Sequence, residues 1–295
     1  MEAMLPAERE RFGQYATESE IPMTRSARVL VVVAALLAML AGTGCNKLKA
    51  RDQLNKGVQS YKNAKYEEAI EHFKNAVELD NSLTNARLYL ATAYAQQYVP
   101  GMDAPENVRN ANMAIEEFTK ILDANPSREQ QIHSLKGIAS LYFNMKKFDQ
   151  ASEYHKKVIA LDPNDPETYY SIAVIDWTEA YQEDQKARAA AGVQATAQLK
   201  DKKVCQELRT KNAQKVEDGI NALTKAIQLR PDYDDAMAYI NLLYRQRAEY
   251  ECDDQAAYDA DIKTANEWVD KTIATKKAKA EKAGPTGVIT TDQSK

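Results

Sequence analysis

The sequence predicts an all-α protein, and three observations carry that expectation: a helix-forming composition, scarce helix breakers, and apolar residues recurring at helical intervals. Ala, Leu, Lys, Glu and Gln dominate the 295 residues, and these are strong helix formers. Glycine and proline number only 10 and 9, and no β-branched run of the kind a sheet needs occurs outside the N-terminal stretch. Apolar residues make up 44% and charged residues 28%, so most of the chain can fold around a core. The formal net charge is −4 with acids and bases interspersed, and the one-sided basic excess of a nucleic-acid binder is absent.

Residues 25–45 read RSARVLVVVAALLAMLAGTGC. Arg25 and Arg28 precede an uninterrupted apolar run from Val29 to Ala41. A membrane-spanning helix needs roughly 20 such residues and the core of a signal peptide about 7–15, so a run of this length predicts export. The small residues Gly42, Thr43 and Gly44, ending at Cys45, resemble the lipobox of bacterial lipoproteins. The resemblance implies cleavage before Cys45 and acylation of it, and more than one acyl chain makes a firm anchor. Gly42 departs from the leucine usual three positions before the cysteine, with Leu40 two residues earlier. An uncleaved anchor and a soluble secreted form are the alternatives. The stretch before Met23 holds five glutamates against two arginines, unlike the start of a signal, so Met23 is the expected true start.

Beyond Cys45 the chain repeats. In LNKGVQSYKNAKYEEAIEHFKNAVELD (Leu54 to Asp80), Gly57, Tyr61, Tyr66, Ala69, Phe73 and Ala76 take the spacing of two packed helices. Gly57 and Ala69 let the backbones approach, and Tyr66 and Phe73 fill the space around the crossing. The order recurs through Ala91, Tyr94, Ala114 and Phe118. It returns at Ala139, Tyr142, Phe148 and Ala151, then from Tyr169 to Trp177 with GINALTKAIQLRP. A fifth unit begins DAMAYINLLYRQ and closes around Ala265. Pro126, Pro163 and Pro231 each follow a closing helix, where proline separates one hairpin from the next. The pattern strongly resembles the tetratricopeptide repeat, a helix–turn–helix unit of about 34 residues. The resemblance implies a superhelix of antiparallel helix pairs.

The second unit carries YVPGMDAPENVRN, well beyond the length of the family's turn. The interval from Ala151 to Gly219 is twice the family's period. The excess lies in residues 178–215, Ala-, Lys- and Gln-rich, and reads as a long inserted helical hairpin turning near Gly192; a degenerate repeat is the alternative. Pro231 falls between Cys205 and Cys252, somewhat nearer the second, which puts the two cysteines on antiparallel helices. At about 1.5 Å per residue their heights differ by roughly 7 Å, which leaves both a disulfide and two separate thiols open. An oxidising periplasm would permit the bond.

The expected layout is an extension and signal over 1–44, a lipidated linker over 45–49, an array over 50–274 and a disordered polar tail over 275–295. The repeat units fall at about 50–83, 84–127, 128–165, 166–231 and 232–274.

Catalytic and metal-binding patterns are missing. His72, His133 and His155 all fall on repeat helices, and no HExxH, CxxC, CxxCH, GxSxG or Walker loop occurs. Carboxylate pairs such as Glu67–Glu68 and Glu116–Glu117 read as solvated helix faces. No catalytic residue, metal or cofactor is expected. An envelope enzyme using residues 178–215 is the rival reading.

A helical-repeat superhelix offers a concave binding face, which in the tetratricopeptide family is lined by the first helix of each hairpin. That resemblance nominates Arg51, Leu54, Tyr61 and Lys62 from the first unit, and Leu88 and Gln96 from the second. From the third come His133, Lys136, Phe143 and Asn144, and from the last two Tyr170, Trp177, Arg245 and Gln246. Tyr, Trp and Arg dominate binding hot spots, so protein or peptide segments are the expected partners. The lysine and asparagine set with which some family members clamp a C-terminal carboxylate is not present. The combined expectation is a protein-binding scaffold facing the periplasm, anchored by lipid on Cys45, in the outer membrane before the inner. Architecture likens it to the repeat lipoproteins of β-barrel and pilus-secretin assembly.

Overall fold

The computed structural model describes residues 45–194, 199 and 201–283. The expected signal, the start at Met23 and the end of the tail lie outside those residues. Ten helices follow one another among them: α1 over 45–62, α2 (Tyr66–Leu79), α3 (Thr84–Gln97), α4 (Pro105–Asp123) and α5 (Arg128–Asn144). They continue with α6 (Phe148–Leu161), α7 (Pro166–Ala190), α8 (Lys202–Leu229), α9 (Asp234–Ala248) and α10 (Gln255–Ala283). No strand occurs among the described residues. The helices form five hairpins, α1–α2 through α9–α10. Consecutive helices pack together, and α3 also meets α5 while α7 meets α9. First helices thus lie side by side at α3–α5 and at α7–α9, on the inner face of the array.

The turns show why the chain doubles back where it does. In the first hairpin the Lys65 N–H bonds back to the Ser60 carbonyl (2.9 Å), with Ala64 between them at φ +57°. The third repeats this with Lys147 to Tyr142 (2.8 Å) and Lys146 at φ +58°. The fourth does so with Val193 to Arg188 (2.9 Å) and Gly192 at φ +67°. This six-residue closure with a left-handed residue ends a helix and satisfies its last carbonyls. Its delay to Gly192 makes α7 25 residues and α8 28, the expected inserted hairpin.

Helix pairs meet through missing side chains. A Cβ on Gly57 would stand 2.5 Å from the Phe73 ring, and one on Gly137 would stand 2.6 Å from Phe118. Two cores result. One joins Phe73, Leu90, Tyr94, Phe118, Ile121 and Ile138 from α2 to α5. The other joins Ile220, Leu223, Ile240, Leu243 and Tyr250 with Ala173 and Leu208, from α7 to the end of α9.

Three expectations are corrected. Residues 45–49 are the first turns of α1 rather than a linker; they lead into Ala50, which is fully buried. The helix α10 runs to Ala283, past the expected boundary at 274. Its continuation is tied to the start of α9, where Lys276 and Lys279 pair with Asp234 and the Thr275 hydroxyl reaches the Met237 sulfur. Glu117 is not a solvated helix face: it is 5% exposed and takes Arg87 from α3 at 2.5 Å and Lys120 at 2.8 Å.

Candidate peptide-binding site

The inner face is most developed between α5 and the start of α7. Between them opens a cleft of about 410 Å³ lined by Lys136, Ser140 and Phe143 of α5, His155 of α6, and Glu167, Thr168, Tyr170, Ser171 and Val174 at the start of α7. Three of the predicted groove residues, Lys136, Phe143 and Tyr170, thus converge on one depression. Helical spacing explains it, since Lys136, Ser140 and Phe143 stand four and three residues apart on one face of α5.

Charge is concentrated at the mouth. Asp165 caps α7 by accepting from the Glu167 N–H (3.2 Å), and it also accepts from the Thr168 hydroxyl (2.6 Å) and from Lys136 (2.5 Å). Lys136 also lies 3.8 Å from Glu167. Burial would raise the Asp165 carboxyl, yet the hydrogen bonds from Lys136 and Thr168 hold it below its ordinary value. His155 is enclosed, its Nδ1 has no hydrogen-bond partner among the described residues, and burial followed by the Lys136 charge lowers its pKa to about 4. The imidazole is therefore neutral at physiological pH. Phe143 lies against Phe148 (5.7 Å between centroids), which fixes it as one wall.

From Tyr170 the surface continues as an aromatic ladder. Tyr170 meets Tyr239 of α9 edge-on at 5.5 Å and Tyr233 at 5.2 Å. Trp177 meets Tyr239 at 5.5 Å and stacks on Tyr181 at 5.1 Å. Burial against Tyr239 raises the Tyr170 phenol strongly. Tyr181 is exposed, so the ladder ends in a stacked pair open to solvent. The sequence reading nominates neither Tyr181 nor Tyr239. Tyr170, Trp177 and Tyr181 stand seven and four positions apart, so helical spacing carried a signal for Tyr181.

The other nominated residues are not gathered there. Leu54 and Leu88 pack against the N-terminal core, and Tyr61 meets Tyr66 at 5.3 Å. Arg51, Lys62 and Gln96 are exposed on α1 and α3. His133 is exposed beside Phe118, and partial burial lowers its pKa. Asn144 offers its backbone carbonyl to the Tyr98 hydroxyl (3.5 Å). One nomination is corrected. Gln246 is buried and donates to the Tyr250 hydroxyl (3.1 Å), because that end of α9 is enclosed by the lengthened α8. Arg245 turns to α10, donating to Asn266 at 2.6 Å.

The inserted hairpin carries a polar lock. Arg188 donates to Asp184 (2.9 Å) and to Glu249 (2.9 Å), and Glu249 also accepts the Leu199 N–H (3.0 Å). Cys205 and Cys252 are joined by a disulfide with 5.6 Å between Cα atoms. Asp176, raised by burial and the nearby Asp218 to about 7, sits in the α7–α8 crossing with its Cβ facing Gly219. No group of three or more potential metal ligands occurs among the described residues. No helix among them is long and apolar enough to cross a membrane. Cys45 is exposed and unbonded at the start of α1.

Comparison with known proteins agrees with this geometry. Residues 134–165, from within α5 through α6 to the turn after it, match the tetratricopeptide repeat family. The fold is a tetratricopeptide-repeat superhelix. Among similar solved structures, the crystal structure of MamA protein superposes with a TM-score of 0.51 at 14% identity, over 82% of this chain and 98% of that one. MamA 41-end from Desulfovibrio magneticus RS-1 gives 0.51 at 16% identity, over 78% and 96%. The MamA RS-1 ArsTM double mutant gives 0.52 at 17%, over 79% and 97%. At such identities the likeness is one of fold. No curated protein sequence matches the chain.

Proposed function

We propose that this tetratricopeptide-repeat protein is a non-catalytic scaffold that holds an extended segment of a partner protein along the inner face of α5, α7 and α9. The observation that carries the reading is the cleft of about 410 Å³ in which Lys136, Phe143 and Tyr170 converge, continued by the Trp177–Tyr181 pair. A peptide seated there would bury apolar side chains against Phe143 and Val174, and Lys136, already paired with Asp165, would meet its polar backbone. Aromatic walls with one cation are the composition from which binding hot spots are built.

The scaffold works from a membrane in this reading, exported by residues 25–45 and held by lipid on Cys45, facing the periplasm from the outer membrane. The apolar run before a small-residue stretch and the exposed Cys45 support it, as does a disulfide that needs an oxidising compartment.

A photo-crosslinking residue placed at Ser140 tests the binding face in cells. A discrete adduct is expected, lost on Phe143→Ala while helix content and melting stay unchanged. Absence of any adduct, or one indifferent to Phe143→Ala, overturns the assignment. For the anchor, radiolabelled palmitate is expected to enter the protein and to be lost in Cys45→Ser; labelling that survives the substitution rejects it.

A further inference from the structure

A second cleft, on the other side of the array, belongs to the insertion in the second hairpin. It is about 660 Å³ and lies between the second helices α2 and α4, roofed by the segment joining α3 to α4. Its apolar surface comes from Ile70, Tyr94 and Met113. The roof is fixed by the buried Asn107, whose Oδ1 accepts the Val99 N–H (2.7 Å) and whose Nδ2 donates to the carbonyls of Val99 and Met102 (2.8 Å each). Held this way, the loop turns large apolar residues outward: Val99 is 48% exposed, Met102 51% and the neighbouring Val108 40%. A rim whose shape is set before binding loses less conformational freedom when a partner arrives. Two methionines, Met102 and Met113, can adapt to side chains of different shape.

The charge around this apolar surface is not balanced. Lys74 is held by Glu71 (2.8 Å) and Arg109 by Glu106 (3.3 Å), while Glu67 has no ion-pair partner among the described residues. Three carboxylates against two cations leave the cleft acidic beside an apolar floor. We propose that the α2–α4 cleft is a docking site, separate from the inner groove, for a peptide segment of a partner that presents one large apolar side chain flanked by basic residues. The apolar side chain enters over Ile70 and Met113, and an arginine or lysine beside it reaches Glu67.

Two synthetic nonapeptides of Gly and Ser test this, both with a central Leu, one flanked by Arg and its twin by Glu. Each is titrated into the full chain labelled at methionine methyl groups. The Arg peptide is expected to shift Met102 and Met113 saturably and to leave Met145 and Met237 in place. It should bind about tenfold more tightly than its Glu twin, since charge complementarity acts by selecting partners. Glu67→Lys should remove most of that preference, Met102→Ser should weaken binding about tenfold, and Phe143→Ala should change nothing. The proposal is overturned by no saturable shift with either peptide, by equal affinities, or by binding lost in Phe143→Ala, which would place the peptide in the inner groove. Shifts of Met102 that depend on protein concentration without peptide also overturn it, since they would make a second copy the occupant.

Discussion

The two halves of the array are held together by different physics. From α1 to α6 the packing follows the repeat: glycine or alanine opposite an aromatic ring, with short turns except for the long segment joining α3 to α4. In the second half α7, α8 and α10 outgrow the repeat, and polar devices supplement the apolar core. Arg188, 3% exposed, bridges Asp184 and Glu249, and Arg247 bridges Glu217 (2.9 Å) and Asp261 (2.6 Å). A disulfide then ties the first turn of α8 to the loop after α9. Close packing tolerates one arrangement because a Cβ at Gly57 has no room; the lock tolerates one because its charges are buried together. Each half has its own way of failing.

The sharpest separation of the two comes from one substitution in each. Phe73→Ala opens a cavity under Gly57 and should destabilise the first hairpins by about 3–5 kcal/mol. Arg188→Ala leaves Asp184 and Glu249 enclosed without their cation, which should cost a similar amount, about 3–5 kcal/mol, in the second half. Because repeat arrays open in parts, amide hydrogen exchange resolves where each loss falls. Protection is expected to drop in α1–α3 for the first variant and in α7–α9 for the second. Uniform loss throughout the chain in both would mean that the halves unfold as one unit.

Removing the covalent tie probes the second half further. Cys205 and Cys252 enclose a separation of 47 residues. Loop-closure entropy puts such a link at about 4 kcal/mol, and removal of native bonds costs typically about 2–4 kcal/mol. Cys205→Ser with Cys252→Ser should therefore lower the stability of α8–α10 while leaving exchange from α2 to α5 unchanged. Urea midpoints with and without dithiothreitol give the same comparison in the unaltered chain. A midpoint indifferent to the reductant would show that the polar lock suffices.

What could be read in the sequence divides along the same line. The five hairpins and the turn at Gly192 follow from the repeat pattern, and the family resemblance put Lys136, Phe143 and Tyr170 on first helices; their convergence on one cleft comes from the packing of α5, α6 and α7. The lock was invisible, since Arg188 and Glu249 are far apart in the chain and only the packing of α7 beside α9 brings them together. Glu117 misled for the same reason: its local sequence is that of a solvated face, and its partner Arg87 arrives from another helix. Gln246 sat at a groove register, but the lengthened α8 brings Asn212 up to Tyr250 and closes that end. The roof loop read as excess length; Asn107, one side chain making three hydrogen bonds, gives it a shape.

The junction of the halves carries the smallest contrast, and it is one of sign. His155 on α6 is held down to about 4, by burial and then Lys136, with Asp165 opposing. The unfolded chain protonates it near pH ~6.5. As pH falls from about 6.5 towards 4 the unfolded state takes up a proton that the folded state refuses, so His155 makes folding less favourable on acidification, by at most about 3 kcal/mol. Asp176 on α7 is raised to about 7, by burial first, with Asp218 and Glu179 adding to it and Lys215 and Lys156 opposing. Its folded state keeps a proton that the unfolded state releases above pH ~4, so its contribution is complete in acid and is lost as pH rises through about 7. The two slopes oppose each other over the same window and flatten the profile of the unaltered protein. His155→Gln should expose stability that increases as pH falls from about 7 to about 4.5, and Asp176→Asn should expose stability that decreases over that range. Urea midpoints at half-unit intervals of pH check both, and two variants with the same slope would remove one of the buried groups from the account.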